Sequence, residues 1–242
     1  MKILALDSSG LVASAAYLVD GVMVAEYTVN DKLTHSQTLL PMLDVMRKQV
    51  GFELTELDAG AAALGPGSFT GLRIGAATVK GLGLALDKPV IPVPSVDGLA
   101  FQLYGAQGII CPIMDARRNQ VYTGFYRFER GQFKVIKEQC AQSMQDTLDQ
   151  LDQLADFEDT VIFLGDGVPV HRETISEQLG EKAFFAPEFA GRQRAGAVGA
   201  LAGIYYQQGK FVTADDFEPE YLRKSQAERE REERLKHEET NI

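Results

Sequence analysis

Three short stretches carry side chains of the kind that handle phosphate or metal. The apolar run Ile3–Leu6 stops at Asp7-Ser8-Ser9, a carboxylate followed by two hydroxyls, a set able to hold a magnesium–phosphate group at a strand end. About a hundred residues later, Ile109–Met114 stops the same way at Asp115-Ala116-Arg117-Arg118-Asn119, where guanidinium groups that suit phosphate stand beside the carboxylate. Between the two lies Gly65-Pro66-Gly67-Ser68-Phe69-Thr70-Gly71. It is neither the GxGxxG of dinucleotide sites nor GxxxxGK[ST], and no lysine directly follows its last glycine. A helix starting there can attract an anion through its N-terminus. Gly71 and Gly75, four apart, flatten that helix and argue first for close packing.

Other chemistries find fewer residues. His35, His171 and His237 are far apart and form no HExxH or HxxxH pair, so a metallopeptidase has no ligand set. A kinase of the two-lobed kind needs an aspartate in a glycine-rich turn beside the acceptor, and no D-x-G-G is present. Gly165-Asp166-Gly167 follows the apolar run Val161–Leu164 and is a further place where a nucleotide could lie. Cys111 and Cys140 form neither CxxC nor part of a His-rich cluster, which speaks against a zinc ribbon or disulfide framework and fits a reducing compartment.

Composition narrows the partners. With 242 residues, 45% of them hydrophobic and 24% charged, the chain can bury a core of one large or two medium domains. Ile3–Leu6 is too short for a secretion signal or a membrane span, so the expectation is a soluble cytoplasmic protein with no membrane contact. Acidic residues outnumber basic ones by 34 to 24, for a net charge of −10. Proteins that grip nucleic acid displace counterions with Lys and Arg. No basic run with interleaved aromatics occurs here, so no direct nucleic-acid binding is expected.

The elements that must position these residues repeat once. Met1–Asp7 reads as a buried strand, Leu11–Val19 and Val22–Val29 as a hairpin about Asp20-Gly21. Ile109–Met114, Val121–Phe128 and Phe133–Ile136, the last two about Arg130-Gly131, give the same layout with Asp115 where the first has Asp7. Helices are predicted over 34–50, capped by Thr34 with Pro41 near its first turns and Gly51 at its end, and over 70–86, capped by Ser68 or Thr70. The expected class is α/β with two lobes, in segments 1–102 and 103–220. Residues 221–242 form a charged helix or tail in which six Lys or Arg and six Glu nearly cancel over 223–239.

With these residues in view, the chain resembles the TsaB (YeaZ) family. The matching segments are ILALDSS at the start, THSQTLLPML at 34–43, GPGSFTGLRIG at 65–75, IMDARRNQVY at 113–122 and PEYLRK at 219–224. The resemblance implies the two-lobed actin-like ATPase (ASKHA) fold, in agreement with the duplication. It also implies a scaffold or activating subunit, itself no enzyme, for the catalytic protein TsaD. That pair transfers a threonylcarbamoyl group to adenosine in tRNA, with TsaE as a further partner. TsaD carries its metal on an H-x-E-G-H motif. Here Ser95-Val96-Asp97-Gly98-Leu99 stands in that place, with both histidines replaced.

From the resemblance, no cofactor belongs to this chain, and Asp7, Ser8 and Ser9 are a vestige of a nucleotide site. The alternative is an enzyme acting on its own, an actin-like-fold ATPase or a metallopeptidase-like protein. The two predicted helices carry apolar residues on more than one face, which predicts a helical bundle with a similar molecule: TsaD, or a second copy of the chain. The expected interface comprises His35, Leu39, Leu43, Met46, Phe69, Gly71, Arg73, Ile74, Gly75 and Thr78.

Overall fold

Alternation in the opening strand sets the layering. In β1 (Lys2–Asp7) the side chains of Leu4 and Leu6 enter one apolar cluster, and those of Ile3 and Ala5 enter another on the opposite face. A strand buried on both faces must lie between two layers of helices. The computed structural model describes residues 1–31, 34–155 and 159–223.

The first half continues with β2 (Ala13–Val19), β3 (Val22–Val29), α1 (His35–Val50), β4 (Ala59–Gly65), α2 (Phe69–Leu86), β5 (Val90–Pro94) and α3 (Ser95–Phe101). The second contains β6 (Ile109–Asp115), β7 (Gln120–Glu129), β8 (Gln132–Ser143), α4 (Met144–Leu154), β9 (Val161–Leu164), α5 (Val168–Leu179), β10 (Ala183–Phe185) and α6 (Ala195–Gln207). The strands form two sheets, in the orders β3-β2-β1-β4-β5 and β8-β7-β6-β9-β10. Strand for strand these are one arrangement used twice. In each, the opening strand pairs antiparallel with the next and parallel with the fourth. Even the hairpin turns agree: Asp20 and Gly21 have φ of 50° and 79°, Arg130 and Gly131 50° and 77°. Two left-handed residues in a row suit the twist of a tight hairpin. The duplicated two-lobed α/β fold expected from the sequence is the architecture observed.

Helices α1 and α2 cover one face of the first sheet through Leu39, Leu43, Met46, Ala76 and Val79. Helices α4 and α5 cover the outer face of the second sheet through Met144, Leu148, Leu151 and Ile175. The middle layer is exchanged between the halves. Helix α3, which follows the first sheet, places Val96, Leu99 and Ala100 against Ile110, Met114 and Tyr126 of the second. Helix α6, which follows the second sheet, places Val198, Leu201 and Ala202 against Ile3, Ala5, Ile91 and Val93 of the first. Val212 then pairs with Val90 along the edge of β5, and Phe217 is buried in the α1–α2 cluster. The lobe built on the first sheet thus includes α6, Val212 and Phe217, which the expected division at 102/103 assigned to the second.

Local details decide where helices begin and end. Ser68 caps α2 by accepting the Gly71 N–H at 3.3 Å. Thr34 precedes α1 as expected, but its hydroxyl makes no capping bond to the helix and lies 3.1 Å from Ser36 Oγ. Pro41 falls inside α1, in its second turn and on the exposed side. Its missing N–H deprives the Gln37 carbonyl of a helical partner where water can replace it. Gly51 ends the helix at φ 78°. Among the described residues no helix is long and apolar enough to cross a membrane. The charged segment expected at 221–242 lies outside the described residues from 224 onward.

Candidate functional site

The turn after β1 is closed by its own chain. Asp7 is buried, and its Oδ1 accepts the Ser9 N–H at 2.9 Å and the Ser9 hydroxyl at 2.7 Å. Burial pushes its carboxyl up to about 6, against the pull of those two bonds and of His35. Ser8 Oγ donates to the Gly71 carbonyl at 2.9 Å, and Ser68 N–H donates to the Ser9 carbonyl at 2.7 Å. The glycines of the loop permit this approach. A Cβ at Gly67 would run into the Ser9 carbonyl, one at Gly71 into the Ser8 carbonyl, and one at Gly75 would lie 2.6 Å from Ser8 Oγ. His35 Nε2 bonds the Gly10 carbonyl at 2.9 Å, and the Gln193 side chain, 2% exposed, covers Gly10. The hydroxyls of the kind that meet a phosphate are thus engaged within the lobe.

The equivalent turn of the second lobe differs. Asp115 is exposed, and its Oδ1 accepts the Arg117 N–H at 2.7 Å. Its own N–H donates to Asp166 Oδ1 at 3.1 Å, so the Gly165-Asp166-Gly167 turn is tied to the end of β6. Burial raises the Asp166 carboxyl, partly offset by the Asp115 N–H and by Arg192. Arg117, Arg118 and Asn119 turn in succession through φ of 62°, 56° and 57°, with their side chains exposed. His171 is buried, which lowers its pKa, and among the described residues its Nε2 has no hydrogen-bond partner.

The positions where histidines would hold a metal are structural. Ser95 Oγ accepts the Gly65 N–H at 3.1 Å, and Leu99 lies in the apolar cluster beneath the second sheet. Between them Asp97 receives hydrogen bonds from Tyr126 at 2.7 Å and Tyr205 at 2.8 Å. Burial raises the Asp97 carboxyl, and the two phenols pull it back down. These residues do not fit a metal. Among the described residues no three His, Cys, Asp or Glu side chains gather where they could share one.

The expected interface set divides. Leu39, Leu43 and Met46 face the lobe's own sheet, because they recur at helical spacing on the covered side of α1. Gly71 and Gly75 meet Ser8, so the flat side of α2 is used inside the lobe rather than toward a partner. His35 is half-buried against Gly10, and Thr78 Oγ1 donates back to the Ile74 carbonyl at 2.8 Å. Ile74 is half-buried beside the α1–α2 core, and Arg73 is exposed. Phe69 stacks on Tyr221 with ring centroids 4.4 Å apart. The apolar residues that the two helices leave in water are others: Leu40 at 55% exposure, Val45 at 51% and Leu84 at 55%, with Pro41, Ala77 and Gly81. Leu40 and Val45 stand off the Leu39-Leu43-Met46 stripe, and that phase difference was available in the sequence.

The sequence pattern of the family described as TsaD, tRNA N6-adenosine threonylcarbamoyltransferase, matches residues 23–231. The tRNA threonylcarbamoyladenosine biosynthesis protein TsaB of Bacillus subtilis is 34% identical over 232 residues, covering 94% of this chain and 96% of its own. The protein of that name from Haemophilus influenzae is 32% identical over 238 residues, covering 92% and 94%. Among solved structures, YeaZ from Pseudomonas aeruginosa superposes with a TM-score of 0.76 at 28% identity, over 91% of this chain and 99% of that one. The duplicated sheets, the glycine-rich loop packed on the Asp7 turn and these likenesses agree: the chain belongs to the TsaB (YeaZ) branch of the TsaD family.

Proposed function

We propose that the chain is a non-catalytic scaffold that activates a TsaD-type transferase in forming threonylcarbamoyl-adenosine in tRNA. The observation that carries this reading is the employment of Ser95 and Leu99. Where the transferase resemblance would put two metal-binding histidines, one residue supports a backbone N–H and the other fills the core. Neither oxygen nor carbon there suits a first-row metal. The closed Asp7 turn supports the same reading for nucleotide, since Ser8 and Ser9 spend their hydroxyls on Gly71 and Asp7. The relatives' name, a tRNA threonylcarbamoyladenosine biosynthesis protein, supports this reading, and with it goes a cytoplasmic place of work.

The surface for the transferase is the outer side of α1 and α2, where Leu40, Val45 and Leu84 are exposed. A second copy of the chain would use the same side when the transferase is absent, because a two-fold pair and a pseudo-two-fold pair demand one patch. TsaE is the further partner in this reading. The protein alone, given threonylcarbamoyl-adenylate and tRNA, should leave the tRNA unmodified, and adding TsaD should restore modification. Modified tRNA from the pure chain would overturn the proposal.

A further inference from the structure

The segment 219–223 crosses from one lobe to the other over their exposed seam. On the first lobe, Glu220 N–H donates to the Leu64 carbonyl at 2.8 Å, Tyr221 stacks on Phe69, and Arg73 Nε donates to the Tyr221 hydroxyl at 3.2 Å. On the second, Gln139 of β8 donates to the Glu220 carboxylate at 2.8 Å and also to the Gly65 carbonyl at 3.0 Å. Leu222 packs on the cluster of Met114 and Tyr122, and the Arg223 guanidinium donates to the Ala116 carbonyl. Four consecutive residues, Glu220 to Arg223, therefore grip β4, α2, β6 and β8.

The two lobes have a second tie of opposite character. Tyr126 of β7 and Tyr205 of α6 both donate to Asp97 of α3, where Asp97 and Tyr126 are buried and Tyr205 is half-buried. Breaking that contact would strand a carboxylate in the interior, which is costly. The crossing segment has no such protection: Glu220 and Arg73 are exposed and Tyr221 is 38% exposed. Segments with few buried contacts and exposed hydrogen bonds open at lower free energy than the core around them. A buried pivot and an exposed fastening are the parts of a hinge.

We infer that residues 219–223 are a latch that fixes the angle between the lobes, pivoting at Asp97 and fastened on Phe69, Arg73 and Gln139. The latch opens without the lobes unfolding, and when it opens the lobes rotate about the buried Asp97 and its two tyrosines. This holds whatever partner the α1–α2 face meets.

Two measurements on the full chain test it. Amide hydrogen exchange of the unaltered protein should show the Glu220 amide exchanging at least about tenfold faster than the amides of β1 and β4. Equal protection would mean that the segment moves only with global unfolding, and would end the proposal. Spin labels at Ala85 of α2 and Gln153 of α4, in a Cys140→Ser background, then read the distance between lobes. One narrow distribution is expected for the otherwise unaltered chain. Combining Gln139→Ala with Tyr221→Ala should shift or broaden it by roughly 5 Å or more, the scale of hinge motion. An unchanged distribution in the folded variant would also refute the latch. If the variant fails to fold by circular dichroism, the exchange comparison decides alone.

Discussion

Ser8 and Gly71 touch because Gly71 has no side chain: the Ser8 hydroxyl reaches the Gly71 carbonyl at 2.9 Å, and a Cβ at Gly71 would collide with the Ser8 carbonyl oxygen. The obstacle is backbone, which cannot swing aside. Gly71→Ala should therefore destabilise the fold by about 1–3 kcal/mol, as overpacking does. Gly75→Leu, aimed at Ser8 Oγ, should be at least as harmful. Urea unfolding followed by circular dichroism is the check, and unchanged midpoints would show that this side of α2 is free. Neither substitution can then serve as a clean probe of a partner interface.

The outer side of α1 and α2 offers the cleaner probe. Leu40→Glu and Val45→Glu alter side chains that are more than half exposed, and should shift the unfolding midpoint little. Each should weaken association with a TsaD-type transferase, and self-association with it, by tenfold or more, roughly the worth of one desolvated apolar anchor. Sedimentation of variant and unaltered chains, alone and mixed, would read both. Normal binding by both variants would remove this face from the proposal.

Asp7 gives a pH signature. Its carboxyl ordinarily titrates near 3.8 and is held at about 6 in the folded protein. The folded state therefore holds this proton more tightly than the unfolded one. The stability linked to it is complete below about pH 4 and is lost as pH rises through 6. Asp7→Asn retains an oxygen to accept from Ser9 and carries no charge at any pH. Relative to the unaltered chain it should gain on the order of 2 kcal/mol between pH 4 and pH 8. A pH-independent difference between the two unfolding curves would contradict the buried carboxylate.

The cysteines should differ sharply in reactivity. Burial pushes the Cys111 thiol up to about 12, and its Sγ sits 3.4 Å from Thr123 Oγ1. Cys140 is only half-buried on the edge strand β8. A thiol-specific chromogenic reagent at pH 8 should modify at most one cysteine per folded chain, Cys140, and both once urea is added. Fast labelling of Cys111 in the folded protein would contradict this assignment.

The strand–Asp–hairpin plan was legible because each opening strand is a dense apolar run ended by a turn residue. The third strand of the second lobe was read as Phe133–Ile136 but extends over Gln132–Ser143. Its continuation, Lys137-Glu138-Gln139, lies at a half-exposed edge where no apolar alternation is required. Helix α6 gave no sign of where it belongs. Its sequence AGAVGALAGIYYQ is small and apolar all round, so periodicity cannot say which sheet it covers. At the site, the preference for packing over phosphate binding in the Gly65–Gly71 loop agrees with its contacts to Ser8 and Ser9. Gly71 and Gly75 meet Ser8 rather than a partner, and a flat helix face does not reveal in the sequence which surface it meets.

The exchanged middle layer constrains the order in which the molecule can be completed on the ribosome. The first sheet emerges early, yet the face carrying Ile3, Ala5, Ile91 and Val93 is covered by Val198, Leu201 and Ala202, made about a hundred residues after β5. Until then that apolar face is open, and α3 has left to await the second sheet. The second lobe needs only α3 and residues up to β10, all of them already synthesised when α6 appears. The half that is translated last is therefore the first able to close. The nascent chain must carry an uncovered β-surface for most of its synthesis, which makes the opening segment the natural client of a holding chaperone.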